Sequence, residues 1–140
     1  MHAELAIDPN VRAVAPARRW ARARMVEAGL DDAELEVLVL LVSETVTNAV
    51  LHAHPPVVLH IDVDDERTRI EVHDGRRGAP VLRDPPSTST NGRGVLVVDR
   101  LATRWGTELT PGTHLTEPLR AHSIKSVWFE LDRALTSEPA

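Results

Sequence analysis

Apolar residues along this chain follow two spacings, and the spacings change in blocks. Between Asp31 and Ala53 they recur every three or four positions, the period of a helix with a buried stripe. Val42, Val46, Ala49, Val50 and Ala53 fall on one side of that helix. Glu44, Asn48 and His52, each four residues apart, drift only about 40° per step and share another side. From Val37 to Val42 the helix is apolar all round, so its first half is expected to be covered on both sides. Pro55-Pro56 ends it. The period then drops to two. Val57, Leu59, Ile61 and Val63 alternate with Val58, His60 and Asp62; after the polar turn Asp64-Asp65-Glu66-Arg67, Thr68, Ile70 and Val72 alternate with Arg69, Glu71 and His73. This is a β-hairpin with one buried face. Parity puts Asp74 on that buried face at the end of the second strand, where an inward carboxylate needs a hydrogen-bonding partner.

The flanking segments are less regular. Leu5, Ile7, Val11 and Val14, interrupted by Asp8-Pro9, predict a short edge strand and a turn. Pro16 suits the first turn of a helix reaching Leu30, with Ala17, Trp20, Ala21, Met25 and Val26 on its apolar side and Gly29 at its C-cap. Arg18, Arg19, Arg22 and Arg24 read as its solvated face, and Asp31-Asp32 as the cap of the next helix. Residues 75–94, dominated by glycine, proline, serine and threonine, read as a loop. Val95, Val98 and Leu101 then give a short helix pattern. Thr103 to Glu108 and Lys125 to Leu131 read as strands, with an irregular connection between them and Lys125 as a strand end. Residues 1–135 are expected to form one domain, with residues 136–140 a disordered tail.

Composition narrows the choice of function. At 140 residues and 42% hydrophobic content there is material for one packed core. A net charge of −5 provides no global basic field, so neither nucleic acid nor an anionic membrane is an expected partner. No apolar run has transmembrane length, and MHAELAIDPN lacks the basic and apolar regions of a secretion signal, so a cytoplasmic location is expected. Without cysteine there is no disulfide, no thiolate chemistry and no cysteine zinc site. His52, His54, His60 and His73 raise a metal reading, but His52 and His54 are two apart, the wrong spacing for one helix face, and a zinc site is not expected.

The remaining chemistry is that of a nucleotide. Glu44 and Asn48 offer a general base and an oxygen ligand suited to a hard cation such as magnesium. Asp74 can accept a hydrogen bond from an exocyclic amine, and a Gly92-Arg93-Gly94 turn opening a helix can present backbone N–H groups to phosphate. In this order the residues resemble the GHKL or Bergerat-fold ATPases, and within them the small stand-alone branch similar to anti-sigma factor serine/threonine kinases of actinobacteria. Residues 44–53 (ETVTNAVLHA) resemble the family's N box, Ile70 to Gly75 its first glycine box, residues 92–106 (GRGVLVVDRLATRWG) its second, and KSVWFEL its terminal strand.

The resemblance implies an α/β fold, a two-layer sandwich with a mixed, mainly antiparallel sheet and about three helices on one face. It implies ATP and Mg2+ as cofactors. Glu44 would be the base polarising the attacking hydroxyl, Asn48 the magnesium ligand, and Asp74, followed by Gly75, the reader of adenine. Gly92 and Gly94 would be lid glycines, with Arg93 beside the phosphates. The implied activity is phosphorylation of an anti-sigma-factor antagonist by a kinase that also binds a sigma factor, commonly as a homodimer. The alternative is a nucleotide-gated binding module without turnover. Two departures from the family pattern stand out: Arg76 and Arg77 follow Gly75 where glycine or a small residue is usual, and the stretch 107–124 is longer than this branch has before its last strand.

Overall fold

A computed structural model of the chain describes residues 1–52, 56–77, 100–111 and 122–133. Strand β1 (His2–Ile7) leads through a 3-10 turn (Val11–Ala13) into helix α1 (Val14–Glu27), followed by α2 (Asp32–His52). The strands β2 (Val57–Val63), β3 (Arg67–Arg77), β4 (Arg104–Pro111) and β5 (His122–Asp132) complete the order. The five strands form one sheet in the order β1-β2-β3-β5-β4, and all four pairings are antiparallel.

Local chemistry accounts for the ends of the helices. Asn10 caps the 3-10 turn by accepting from the Arg12 N–H at 2.8 Å. Gly29, with φ +87°, takes the left-handed position after α1, and the Gly29 and Leu30 N–H groups close back on the Val26 and Met25 carbonyls at 3.0 and 3.2 Å. Helix α2 opens on a reciprocal cap: Asp31 Oδ1 accepts from the Glu34 N–H at 2.8 Å, and Glu34 Oε1 accepts from the Asp31 N–H at 3.2 Å. Arg133, just past β5, ties three segments together. Its guanidinium donates to the Gly29 and Asp64 carbonyls and lies 3.7 Å from the buried Glu34 carboxylate. The hairpin turn is held by Asp64 Oδ1, which accepts from the Glu66 and Arg67 N–H groups at 2.7 and 2.9 Å.

One core lies between the helices and one face of the sheet. Val57, Leu59, Ile61 and Val63 of β2, Ile70 and Val72 of β3 and Phe129 of β5 are buried against Leu38, Leu41, Val42 and Val46 of α2 and Ala17, Ala21 and Met25 of α1. The period-two alternation expected for β2 appears as a strict buried and half-buried alternation.

Several expectations need correcting. Of the loop expected over 75–94, residues 78–94 lie outside the described residues, and residues 75–77 are strand, because β3 continues through Gly75, Arg76 and Arg77, which pair with Ile124, Ser123 and His122. For the same reason β5 starts at His122, β4 runs on to Pro111, and Lys125 sits inside a strand. Glycine and proline signals marked a loop locally, but the ladder partner that overrides them lies almost fifty residues away. On α2, Leu40 is 43% exposed, so the all-apolar segment is covered by α1 and the sheet while a third side stays open. Val26, expected on the apolar side of α1, is also exposed, whereas Met25 is fully buried.

Candidate functional site

Helix α2 carries the polar stripe that its spacing predicts. Glu44 and Asn48 are half-buried one turn apart, flanked by the buried Val42, Val46, Ala49 and Val50 that anchor the helix to the core. Thr45 and Thr47 lie among them, but their hydroxyls are turned onto their own helix: Thr45 Oγ1 donates to the Leu41 carbonyl at 2.8 Å and Thr47 Oγ1 to the Ser43 carbonyl at 2.6 Å. The outward chemistry of this stretch therefore falls to Glu44 and Asn48. The helix ends at His52, and Ala53 lies outside the described residues.

Asp74 is buried, 5% exposed, as its parity with Ile70 and Val72 requires. In the ladder it is the partner of Val57 on one side and Lys125 on the other. Val57 is the first residue of β2, five positions after the last residue of α2. Five peptide steps span at most about 18 Å, which bounds how far the C-terminal end of α2 lies from Val57, the ladder partner of Asp74. Gly75 is buried as well, and its N–H donates to the Pro56 carbonyl at 3.1 Å, which joins β3 to the segment entering β2. Lys125, expected at a strand end, is half-buried and stands directly across from Asp74 on the same face of the sheet. The period-two pattern of KSVWFEL carries that signal once β3 is known to be its partner. Gly92, Arg93 and Gly94 lie outside the described residues, as do most of the short helix pattern after them and residues 112–121 of the long connection. Arg100 and Leu101, at its end, are helical.

As a donor set, Glu44, Asn48 and Asp74 fit the expected ligands. All their side-chain acceptors are oxygens, the preference of magnesium, and a buried carboxylate matches the recognition of an amine-bearing base. Asp74 lies within β3, three residues before its end, and not at the strand end that the sequence predicts. An open groove of about 490 Å³ between β1 and the start of α1, lined by Ile7, Asn10, Arg12, Pro16 and Trp20 among others, includes none of these residues.

The other face of the sheet is polar and heavily paired. Arg69 bridges Glu71 and Glu130 at 3.3 and 3.0 Å and stacks over Trp128, its Cζ 4.3 Å from the ring centroid. Arg104 pairs with Glu130 at 2.8 Å and also with Asp132. Hydrogen bonds from His73 and then Arg69 hold the Glu71 carboxyl down to about 2, and those from Arg104 and then Arg69 hold Glu130 below the usual carboxylate range. Burial pushes the His60 imidazole down.

Comparison with known proteins gives the family and the fold. The sequence profile of the histidine kinase-like ATPase domain matches residues 7–116. No curated protein matches the chain. Among solved structures, the chain is similar to the crystal structure of the RsbU and RsbW domains of Rv1364c from Mycobacterium tuberculosis, with a TM-score of 0.62 at 18% identity. The alignment covers 96% of this chain and 33% of that one, so this chain spans about a third of its relative's length.

Proposed function

Because the chain belongs to the histidine kinase-like ATPase domain family, we propose that it binds ATP with Mg2+ at the Asp74 end of the sheet and acts as an anti-sigma factor serine/threonine kinase on an anti-sigma-factor antagonist. The observation that supports this reading is a buried Asp74 paired with the first residue of β2, together with half-buried Glu44 and Asn48 one turn apart on α2, the helix that precedes β2. In this reading Asp74 accepts a hydrogen bond from the exocyclic amine of adenine, with Gly75 leaving the approach unobstructed. Asn48 ligates magnesium through its side-chain oxygen. Glu44 accepts the proton of the attacking serine or threonine hydroxyl. Gly92 and Gly94, outside the described residues, would be glycines near the phosphates, with Arg93 beside them. Bound Mg2+ and ATP supply the transferable phosphoryl group and the neutralising charge, and the protein's part is positioning. A sigma factor is the second partner, and a homodimer the proposed assembly.

Labelled ATP, magnesium and the antagonist encoded beside the gene test the kinase claim. Wild-type protein should transfer label to the antagonist, and Glu44→Gln should slow transfer by about 10²–10⁴-fold while keeping nucleotide affinity. Transfer that is unchanged in Glu44→Gln removes Glu44 from the chemistry.

A second reading is favoured by the extension of β3. Gly75, Arg76 and Arg77 are tied into a ladder with β5 where the family's box is usually built from small residues. Nucleotide would then order the domain for a protein partner without turnover. Tighter binding of the antagonist in the presence of ATP, with no label transferred, would select this reading.

A further inference from the structure

On the sheet face turned away from the helices, β1 and β2 bring two histidines and a carboxylate together. His2 and Glu4 are two apart on β1 and so project to the same face, while Glu4 is paired across the ladder with His60 of β2. Their donor atoms converge: His2 Nε2 is 3.0 Å and His60 Nδ1 3.3 Å from the same oxygen, Glu4 Oε1, and all three donors lie within 4.8 Å of one another. Around a tetrahedral zinc ion with ligands at about 2.0–2.2 Å, neighbouring donors stand roughly 3.3 Å apart. Two of the three edges of this triangle, at 3.0 and 3.3 Å, lie within a few tenths of an ångström of that length.

The surroundings suit a metal ligand set. His2 Nδ1 is 2.6 Å from Asp62 Oδ1, so the Asp62 carboxylate holds the His2 ring with Nε2 facing Glu4 and His60. A carboxylate behind the distal nitrogen is how proteins orient a metal-bound imidazole. The His60 ring is braced from the other side by His73, ring centroids 4.3 Å apart. Glu4 and His2 are more than half exposed, which leaves the outer coordination position open to water or another ligand.

We propose that His2, Glu4 and His60 form a site for a divalent transition-metal ion of the zinc type, with Asp62 as the residue that positions His2. Two imidazoles and one carboxylate favour zinc over magnesium, whose preference is for oxygen donors in octahedral geometry. The ion would join edge strand β1 to β2, and its place on the far face of the sheet makes it independent of nucleotide.

Isothermal titration of ZnCl2 into the metal-free full chain, without nucleotide, tests the site. Wild-type protein should show one saturable site whose affinity is untouched by a hundredfold excess of Mg2+, and Co2+ at the same site should give the intense visible bands of tetrahedral coordination. Glu4→Gln and His2→Ala, both at exposed positions that leave folding intact, should each weaken zinc binding at least tenfold. His60→Ala should do the same with a native circular dichroism spectrum, and Asp62→Asn should weaken it about 10- to 100-fold. Zinc should also raise the melting temperature of wild type and not of Glu4→Gln. Three results would overturn the proposal: no saturable site below about 1 mM zinc, equal affinity in wild type and Glu4→Gln, or displacement of zinc by Mg2+. The first would leave these residues as an ion-pair cluster, and the second would place the zinc on other histidines.

Discussion

Gly106 and Trp128 form a cross-strand pair between β4 and β5 whose coupling can be worked out from geometry. A Cβ added at Gly106 would sit 2.8 Å from Cζ2 and 2.9 Å from Cε2 and Nε1 of the indole, inside van der Waals contact. The ring has little freedom to move, since Arg69 stacks on it and is itself fixed by Glu71 and Glu130. Gly106→Ala should therefore cost about 1–3 kcal/mol of overpacking. It should cost up to about 1 kcal/mol more if the arginine stack is lost. In a Trp128→Ala background the obstruction is gone, and only the strand preference for alanine over glycine remains, about 0.5–1 kcal/mol in the stabilising direction. The same substitution should thus change sign between the two backgrounds. Urea denaturation of the four proteins of this double-mutant cycle, with the slope checked for constancy, measures the coupling directly. Additive effects would refute the packing described for the open face.

Other substitutions probe the remaining layers. Phe129 is fully buried opposite Ile70, so Phe129→Ala should lose about 3–5 kcal/mol in the same urea assay, and a loss under 1 kcal/mol would mean that the core does not close on β5. Glu71 titrates at about 2 in the fold against an ordinary 4.5, so its contribution is complete above pH 4.5 and lost as pH falls toward 2; Glu130, also lowered, acts in the same direction. Wild-type stability followed from pH 6 to pH 2 should therefore fall more steeply than that of Glu71→Gln, and parallel curves would contradict the pairing.

Much of this was legible along the chain because it is encoded locally. The stripe on α2, the alternation of β2 and the parity of Asp74 depend on spacings within a few residues, and burial follows them. What was not legible depends on distant partners. Gly75 to Arg77 look like a loop until His122 to Ile124 supply a ladder. The histidine cluster escaped for the same reason: attention to His52 and His54 followed chain proximity, whereas His2 and His60 meet only through the pairing of β1 with β2. Leu40 shows a different limit, since an all-apolar helix segment gives no sign of which side its neighbours leave open.

The central claim is that the end of the sheet bearing Asp74 holds adenine while Asn48 on α2 holds the metal. Calorimetric titration of ATP into wild-type protein, Asp74→Asn and Asn48→Ala, each with and without Mg2+, tests it most directly. Wild type should bind ATP more tightly with Mg2+, and Asn48→Ala should lose the magnesium effect. Asp74→Asn should weaken binding by about 10-fold or more in either condition, the value of a hydrogen bond to a charged group. Wild type that binds no ATP, or Asp74→Asn with undiminished affinity, would contradict the account.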